Sequence, residues 1–163
     1  MNRPYSSRDY LKILEDVKGK VENIVIGADI IVGFPGETED DFQRSVAAAE
    51  SGLIDYLHVF SYSDRPGTSA SDFFPKISPH TIKQRNAILR GISKKHYAAA
   101  LKRQIGKRLE VISEHRARNG QYYWGISDNY LKVALPRSRG GGKEIIVMNI
   151  SGASPKYLTG EIG

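Results

Sequence analysis

The 163-residue chain contains no cysteine. Disulfides, thiolate metal ligands and a cysteine nucleophile are thereby excluded within it. No apolar run approaches the roughly 18 residues that a membrane span needs. The opening Met1-Asn2-Arg3-Pro4-Tyr5 has no apolar signal core either, so a cytoplasmic protein without a membrane partner is the expectation. Neither Gly-x-Gly-x-x-Gly nor a Walker lysine occurs, which removes both common phosphate loops. There is no internal repeat, and the one low-complexity tract is the glycine triplet at 140–142.

What is present is ordinary for a soluble globular protein, with 40% hydrophobic and 26% charged residues. The length suits one sizeable domain, or a partial domain followed by a small one. Net charge is +6 with a pI near 9.5. Lysine and arginine exceed aspartate and glutamate by 2 ahead of Ile105 and by 4 after it, over a shorter stretch. That balance suits nucleic acid and suits plain solubilising charge equally well.

Local signals divide the chain into two styles. Ser6-Ser7-Arg8-Asp9 has the form of a capping box opening a helix, with Leu11, Leu14 and Val17 at helical spacing and Gly19 at its end. Ile24 to Val32 is nearly all apolar or β-branched, the pattern of a strand buried on both faces of a parallel sheet. Thr38 caps a second helix whose first turn carries Glu39, Asp40 and Asp41, and Leu57 to Phe60 forms the next strand. Helix, strand, helix, strand indicates a parallel α/β unit. Two strands and two helices neither close a barrel nor cover both sheet faces, so this half reads as the end of a larger domain. Ser78-Pro79 opens a long helix to about Gln104, interrupted by Gly91. Its basic residues, from Arg90 to Arg103, read as a solvated face favoured by the helix dipole. From Gly106 onward, runs around Leu109, Tyr122, Tyr130, Ile145 and Tyr157 are short strands, which predicts a small β-barrel.

Two constellations could carry chemistry. Gly33-Phe34-Pro35-Gly36-Glu37 follows a strand and precedes a helix, where α/β folds place ligands and glycines permit close backbone approach. A tight turn without a ligand would have the same sequence. In the second half, Tyr122, Tyr123, Trp124 and Tyr130 lie among Lys107, Arg108, Arg116, Arg118, Lys132, Arg137 and Arg139. Aromatic faces stack on unpaired bases while cations follow phosphates. Alternating aromatics also build barrel cores, so about half of these rings are expected inside.

Three ordered motifs carry a family resemblance. They are Met1-Asn2-Arg3-Pro4-Tyr5, "DIIVGFPGET" from Asp29, and "YSDRPGTSA" from Tyr62. A fourth is the pattern Gly125-Ile126-Ser127-Asp128-Asn129-Tyr130-Leu131-Lys132-Val133. Together they resemble the radical S-adenosylmethionine methylthiotransferases, the MiaB/MtaB/RimO superfamily, across essentially the whole chain. The resemblance implies the C-terminal part of a TIM-like (β/α) partial barrel over residues 1–104, followed by a small all-β, OB-like TRAM domain over 105–163. It implies S-adenosylmethionine and two 4Fe-4S clusters as cofactors, and tRNA at the anticodon stem-loop as partner. The cluster-ligating cysteines of that family are absent here, and Met1 falls where the family has an internal methionine. The chain is therefore expected to be a C-terminal fragment, inactive alone, that needs a cluster-binding N-terminal half. No residue is expected to be a metal ligand or a catalytic group.

Carried over by motif, Gly33, Phe34, Pro35, Gly36 and Glu37 would line the S-adenosylmethionine site, with Phe60, Tyr62 and Arg3 beside it. Arg65, Lys107, Arg108, Tyr123, Trp124, Asn129, Tyr130, Lys132 and Arg137 are the candidates for substrate and RNA. Asp29 is expected as a buried hydrogen-bonding carboxylate and His58 as a barrel-layer side chain. "HVFSYSDRPGT" from His58 is most like the MtaB branch, which adds a methylthio group to C2 of N6-threonylcarbamoyladenosine beside the anticodon. Isopentenyladenosine in tRNA, a ribosomal-protein aspartate, and an inactive RNA-binding module are the alternatives.

Overall fold

The computed structural model describes residues 4–117, 120–137, 142 and 144–163. They divide into two compact units, one holding the residues up to Glu22 with Ile26–His96, the other Asn23–Val25 with Tyr97–Gly163.

The first unit contains α1 (Ser7–Lys20), β1 (Gly27–Val32), α2 (Glu39–Glu50), β2 (Tyr56–Ser61), a 3-10 turn at Ser69–Asp72 and most of α3 (Pro79–Lys102). The expected capping box at Ser6 forms, and the expected cap at Thr38 proves to be a second box. Ser6 Oγ accepts from the Asp9 amide, and Thr38 Oγ1 accepts from the Asp41 amide, while each aspartate carboxylate returns the bond. Ser78 Oγ accepts from the Thr81 amide at the start of α3, one residue before the proline that presets the helical φ. Gly91 lies within α3 without ending it.

Strands β1 and β2 pair in parallel, with Asp29 opposite His58 and Ile31 opposite Phe60. Ile30, Val32, Leu57 and Val59 point to one side and pack with Phe42 and Ala49 of α2 and Leu89 of α3. The other side, with Gly27, Asp29, Ile31, His58 and Phe60, is exposed. The expectation of a strand buried on both faces is thus corrected. Helices cover one face only, so the period-2 alternation of the backbone leaves every second apolar side chain uncovered. Asp29 and His58 are likewise not buried but exposed on that open face.

The second unit is a closed barrel of β3 (Arg108–Arg116), β4 (Tyr123–Ser127), β5 (Lys132–Leu135), β6 (Ile145–Ala153) and β7 (Leu158–Ile162), in the order β3-β4-β5-β7-β6. All neighbours are antiparallel except β5 and β7. Inward side chains Leu109, Val111, Val133, Leu135, Met148, Ile150 and Leu158 build its core with Leu131 and with Leu101 from the end of α3. Gly125 is required there, because a Cβ would stand 2.6 Å from Val111 Cγ1 and 2.9 Å from the Ile112 carbonyl. The architecture is therefore mixed α/β with a closed five-stranded barrel.

Candidate functional site

The segment 33–37 is a loop built in two stages. Phe34 to Glu37 is a β-turn closed by a 2.9 Å bond from the Glu37 amide to the Phe34 carbonyl, with Pro35 second and Gly36, at φ +83, third. Proline in the second place and a positive-φ glycine in the third are what a type II turn requires. Gly33, at φ +78, has no room for a Cβ because the Ile82 side chain of α3 occupies that space.

The carboxylate of Glu37 then locks the loop from within. Its Oε2 accepts from the Gly33 amide at 2.8 Å and from Arg85 Nη1 at 2.6 Å. Arg85 is buried, bonds Glu39 Oε2 at 2.9 Å through Nη2, and lies 5.0 Å over the Phe42 ring. Burial disfavours its charge, but the bonds to Glu39 and Glu37 outweigh that and raise its pKa. The Glu39 carboxyl is lowered in turn, first by Gln43 and then by Arg85.

Beside this loop opens a cleft of about 710 Å³ on the exposed face of the sheet. Phe34, Pro35, Gly36, Glu37 and Phe60, all anticipated, line it, as do Asp29, Ile31, Asp41 and Phe73. Gly33 and Tyr62, also anticipated, do not line it. Tyr62 packs edge-on to Phe34 at 5.5 Å and donates to Asp64 at 2.9 Å, where Lys76 also pairs at 2.9 Å. Lys76 and Tyr62 together hold the Asp64 carboxyl below its ordinary range. Phe73 reaches the cleft because its loop is tied down by a bond from the Gly36 amide to the Pro75 carbonyl. Arg3 lies outside the described residues. Asp29 and Ile31 were recoverable from the strand alternation, whereas nothing local marks Phe73 or Arg85.

The aromatic residues of the barrel separate. Trp124 is half-buried with Lys132 Nζ 3.6 Å from its ring centroid, and Tyr122 and Tyr157 meet it edge-on at 4.6 and 5.1 Å. Tyr157 was not anticipated there. Tyr123 instead packs against the barrel core. Tyr130 lies on the β3 side of β4, lining a cleft with Glu110, Glu114 and Asp128. Asn129 is used internally, accepting from Ser127 Oγ at 2.7 Å and donating to the Asn23 carbonyl at 3.2 Å and Gln104 Oε1 at 3.3 Å. Lys107 Nζ bonds Asn23 Oδ1. Arg65, Arg108 and Arg137 are exposed. Arg118 and Arg139 lie outside the described residues.

The donor set decides which cofactors fit. An iron-sulfur cluster needs thiolates, and the chain has none. Among the described residues no group of three or more histidines or carboxylates could hold a metal ion. No helix of the described residues is long and apolar enough to cross a membrane. The cleft on the sheet differs in that it combines the aromatic side chains of Phe34, Phe60 and Phe73 with the carboxylate of Asp29, while the Asp41 carboxylate caps α2 at Thr38 and pairs with Arg44 at 3.6 Å. No lysine or arginine lines it among the described residues. Such walls suit a flat, cationic ligand, since ring faces and carboxylates both attract positive charge.

Fold and site thus define a class: an α/β unit with an aromatic-lined cleft at its βα turn, and a closed β-barrel on which Lys132 lies over Trp124. No family model matches the chain. It is 34% identical over 159 residues to the tRNA-2-methylthio-N(6)-dimethylallyladenosine synthase of Thermosipho africanus, which covers 96% of this chain and 37% of that protein. Proteins of the same name from Thermotoga petrophila, 37% identical over 124 residues, and Nitratidesulfovibrio vulgaris, 36% identical over 143, cover 76% and 84% of this chain and 28% and 32% of themselves. The chain spans about a third of the length of these curated relatives. The first of these matches runs over nearly all of this chain's own length, and the shared name of the three agrees with the family that its motifs resemble.

Proposed function

We propose that this chain is the part of a tRNA methylthiotransferase that supplies one wall of the S-adenosylmethionine site and the RNA-binding barrel. The observation that carries this reading is the cleft at the Phe34–Glu37 turn, whose aromatic and carboxylate lining suits a cationic adenosine derivative. Phe34 and Phe60 would face the adenine and sulfonium, Pro35 and Gly36 would offer backbone, and Glu37 with Arg85 would hold the turn in shape. When bound, S-adenosylmethionine supplies the radical and methyl chemistry of this family. The residues of this chain bind it, orient it and shield it on one side. Iron-sulfur ligation has no donors here, so no electron-transfer step belongs to these residues, and the 163 residues alone are inactive. The cluster-binding half of the parent enzyme is the first partner and the tRNA anticodon stem-loop the second. The site of action is cytoplasmic.

The nucleoside follows the relatives. Their names specify N6-dimethylallyladenosine, which supports that substrate over N6-threonylcarbamoyladenosine. Mass spectrometry of tRNA nucleosides from a strain lacking the full gene tests both at once. The expected loss is 2-methylthio on dimethylallyladenosine, restored by the intact gene and not by Phe34→Asp with Phe60→Asp. Loss on threonylcarbamoyladenosine alone would instead establish the other branch, and loss on neither would end the enzyme reading.

A further inference from the structure

Tyr130 occupies a surface of its own. It is 79% exposed at φ +63, a conformation that non-glycine residues rarely adopt. Its turn is tightly built: the Tyr130 amide bonds the Ser127 carbonyl, Ser127 Oγ bonds both ends of Leu131, and the Asp128 amide bonds the Glu110 carbonyl. The backbone that carries the ring is therefore fixed. Next to it Ile112 and Ile145 are 50% and 64% exposed, and with Ile126 they floor a cleft of about 440 Å³. Glu110, Glu114 and Asp128 rim that floor, and no lysine or arginine lines it among the described residues. This is an apolar floor with an acidic rim in a chain whose net charge is +6.

We propose that this face is a docking surface for a cationic amphipathic polypeptide segment, in which lysines or arginines flank aliphatic residues. Charge complementarity selects that occupant. The rim repels the phosphates of RNA and anionic lipid headgroups alike. An isologous contact with a second copy would set three carboxylates against the same three. Aliphatic side chains would seat on Ile112 and Ile145 under the Tyr130 ring while flanking cations pair with Glu110, Glu114 and Asp128. Salt-dependent encounter and apolar burial then contribute together. The surface shares only β4 with the Trp124 and Lys132 cluster, so it does not depend on the enzymatic reading.

Calorimetric titration of the full chain at low salt with the peptide KLRVKLR tests this, with KSRSKSR as the control of equal charge. KLRVKLR is expected to bind about tenfold more tightly than KSRSKSR, a difference of about 1.4 kcal/mol. That advantage should vanish in Ile112→Ser with Ile145→Ser. Glu110→Gln with Glu114→Gln, which alters no packing, should weaken KLRVKLR about tenfold. Equal binding of the two peptides, or no effect of either variant pair, overturns the proposal. So does a dimer by sedimentation that the serine variant dissociates, which would make the occupant a second copy. A tRNA affinity that falls in the serine variant would make it RNA and overturn the proposal equally.

Discussion

At the scale of single residues, Arg85 is the charge on which the Phe34–Glu37 turn rests. Its guanidinium holds Glu37 and Glu39, and Glu37 holds the Gly33 amide, so one side chain of α3 fixes the exit of β1. Removing one partner of a buried pair leaves the other uncompensated, which costs about 3–5 kcal/mol. The Glu37 side chain is only 10% exposed, so Arg85→Met is expected to fall in that range by urea denaturation. Arg85→Met combined with Glu37→Gln should recover part of the loss, because no buried charge then stands unpaired. Additive losses in the double variant would show that the pair does not act as a unit. Glu37 was legible as part of a motif and its partner was not. Arg85 sits 48 positions further on, and nothing in the sequence around it distinguishes it from the other basic residues of α3.

At the scale of elements, the helix starts are where local chemistry and structure agree most closely. Ser6 with Asp9 and Thr38 with Asp41 form reciprocal caps, as residue type and spacing alone predict. Each cap lowers its carboxyl: Ser6 hydrogen bonds depress Asp9, and Thr38 hydrogen bonds depress Asp41. A carboxyl whose pKa is depressed in the folded state contributes stability above its unfolded value, and that contribution is lost as pH falls through the folded value. Thermal stability should therefore drop as pH is lowered below about 4, near the ordinary range for aspartate. Ser6→Ala with Thr38→Ala should flatten that part of the pH profile in calorimetric scans, while an unchanged slope would assign the acid sensitivity elsewhere. Strand faces were harder to read than caps. The run Ile24 to Val32 is apolar enough to suit two covered faces, and only the tertiary arrangement reveals that α2 and α3 cover one. The barrel shows the same limit in another form. Its five strands were legible from turn residues and β-branched runs, but their order β3-β4-β5-β7-β6 was not. It is that order, with the pleat, that sets Tyr123 inward, Trp124 beside β5 and β7, and Tyr130 beside β3 and β6.

At the scale of the whole molecule, the excess of positive charge has a direction. The residues after Ile105 carry the larger share of it, yet on the barrel the carboxylates Glu110, Glu114 and Asp128 gather on one side of β4 and Lys132 stands on the other, over Trp124. RNA that follows this pattern meets a cation and an aromatic together, and each leaves a different signature. A lysine that neutralises a phosphate releases counterions, so Lys132→Ala should shallow the plot of log K against log salt by about 0.7 for single-stranded RNA. A ring that stacks on a base contributes about 1–3 kcal/mol without displacing ions. Trp124→Ala should therefore weaken binding of an anticodon stem-loop at every salt concentration and leave the slope unchanged, with circular dichroism confirming that the barrel persists. Tyr130→Asn, on the acidic side and tolerant of positive φ, should alter neither quantity. Binding that ignores salt, or that falls as far with Tyr130→Asn as with Trp124→Ala, would remove RNA from the β5 and β7 side of the barrel. The reason is physical: phosphate contact without counterion release is not available to a lysine in water.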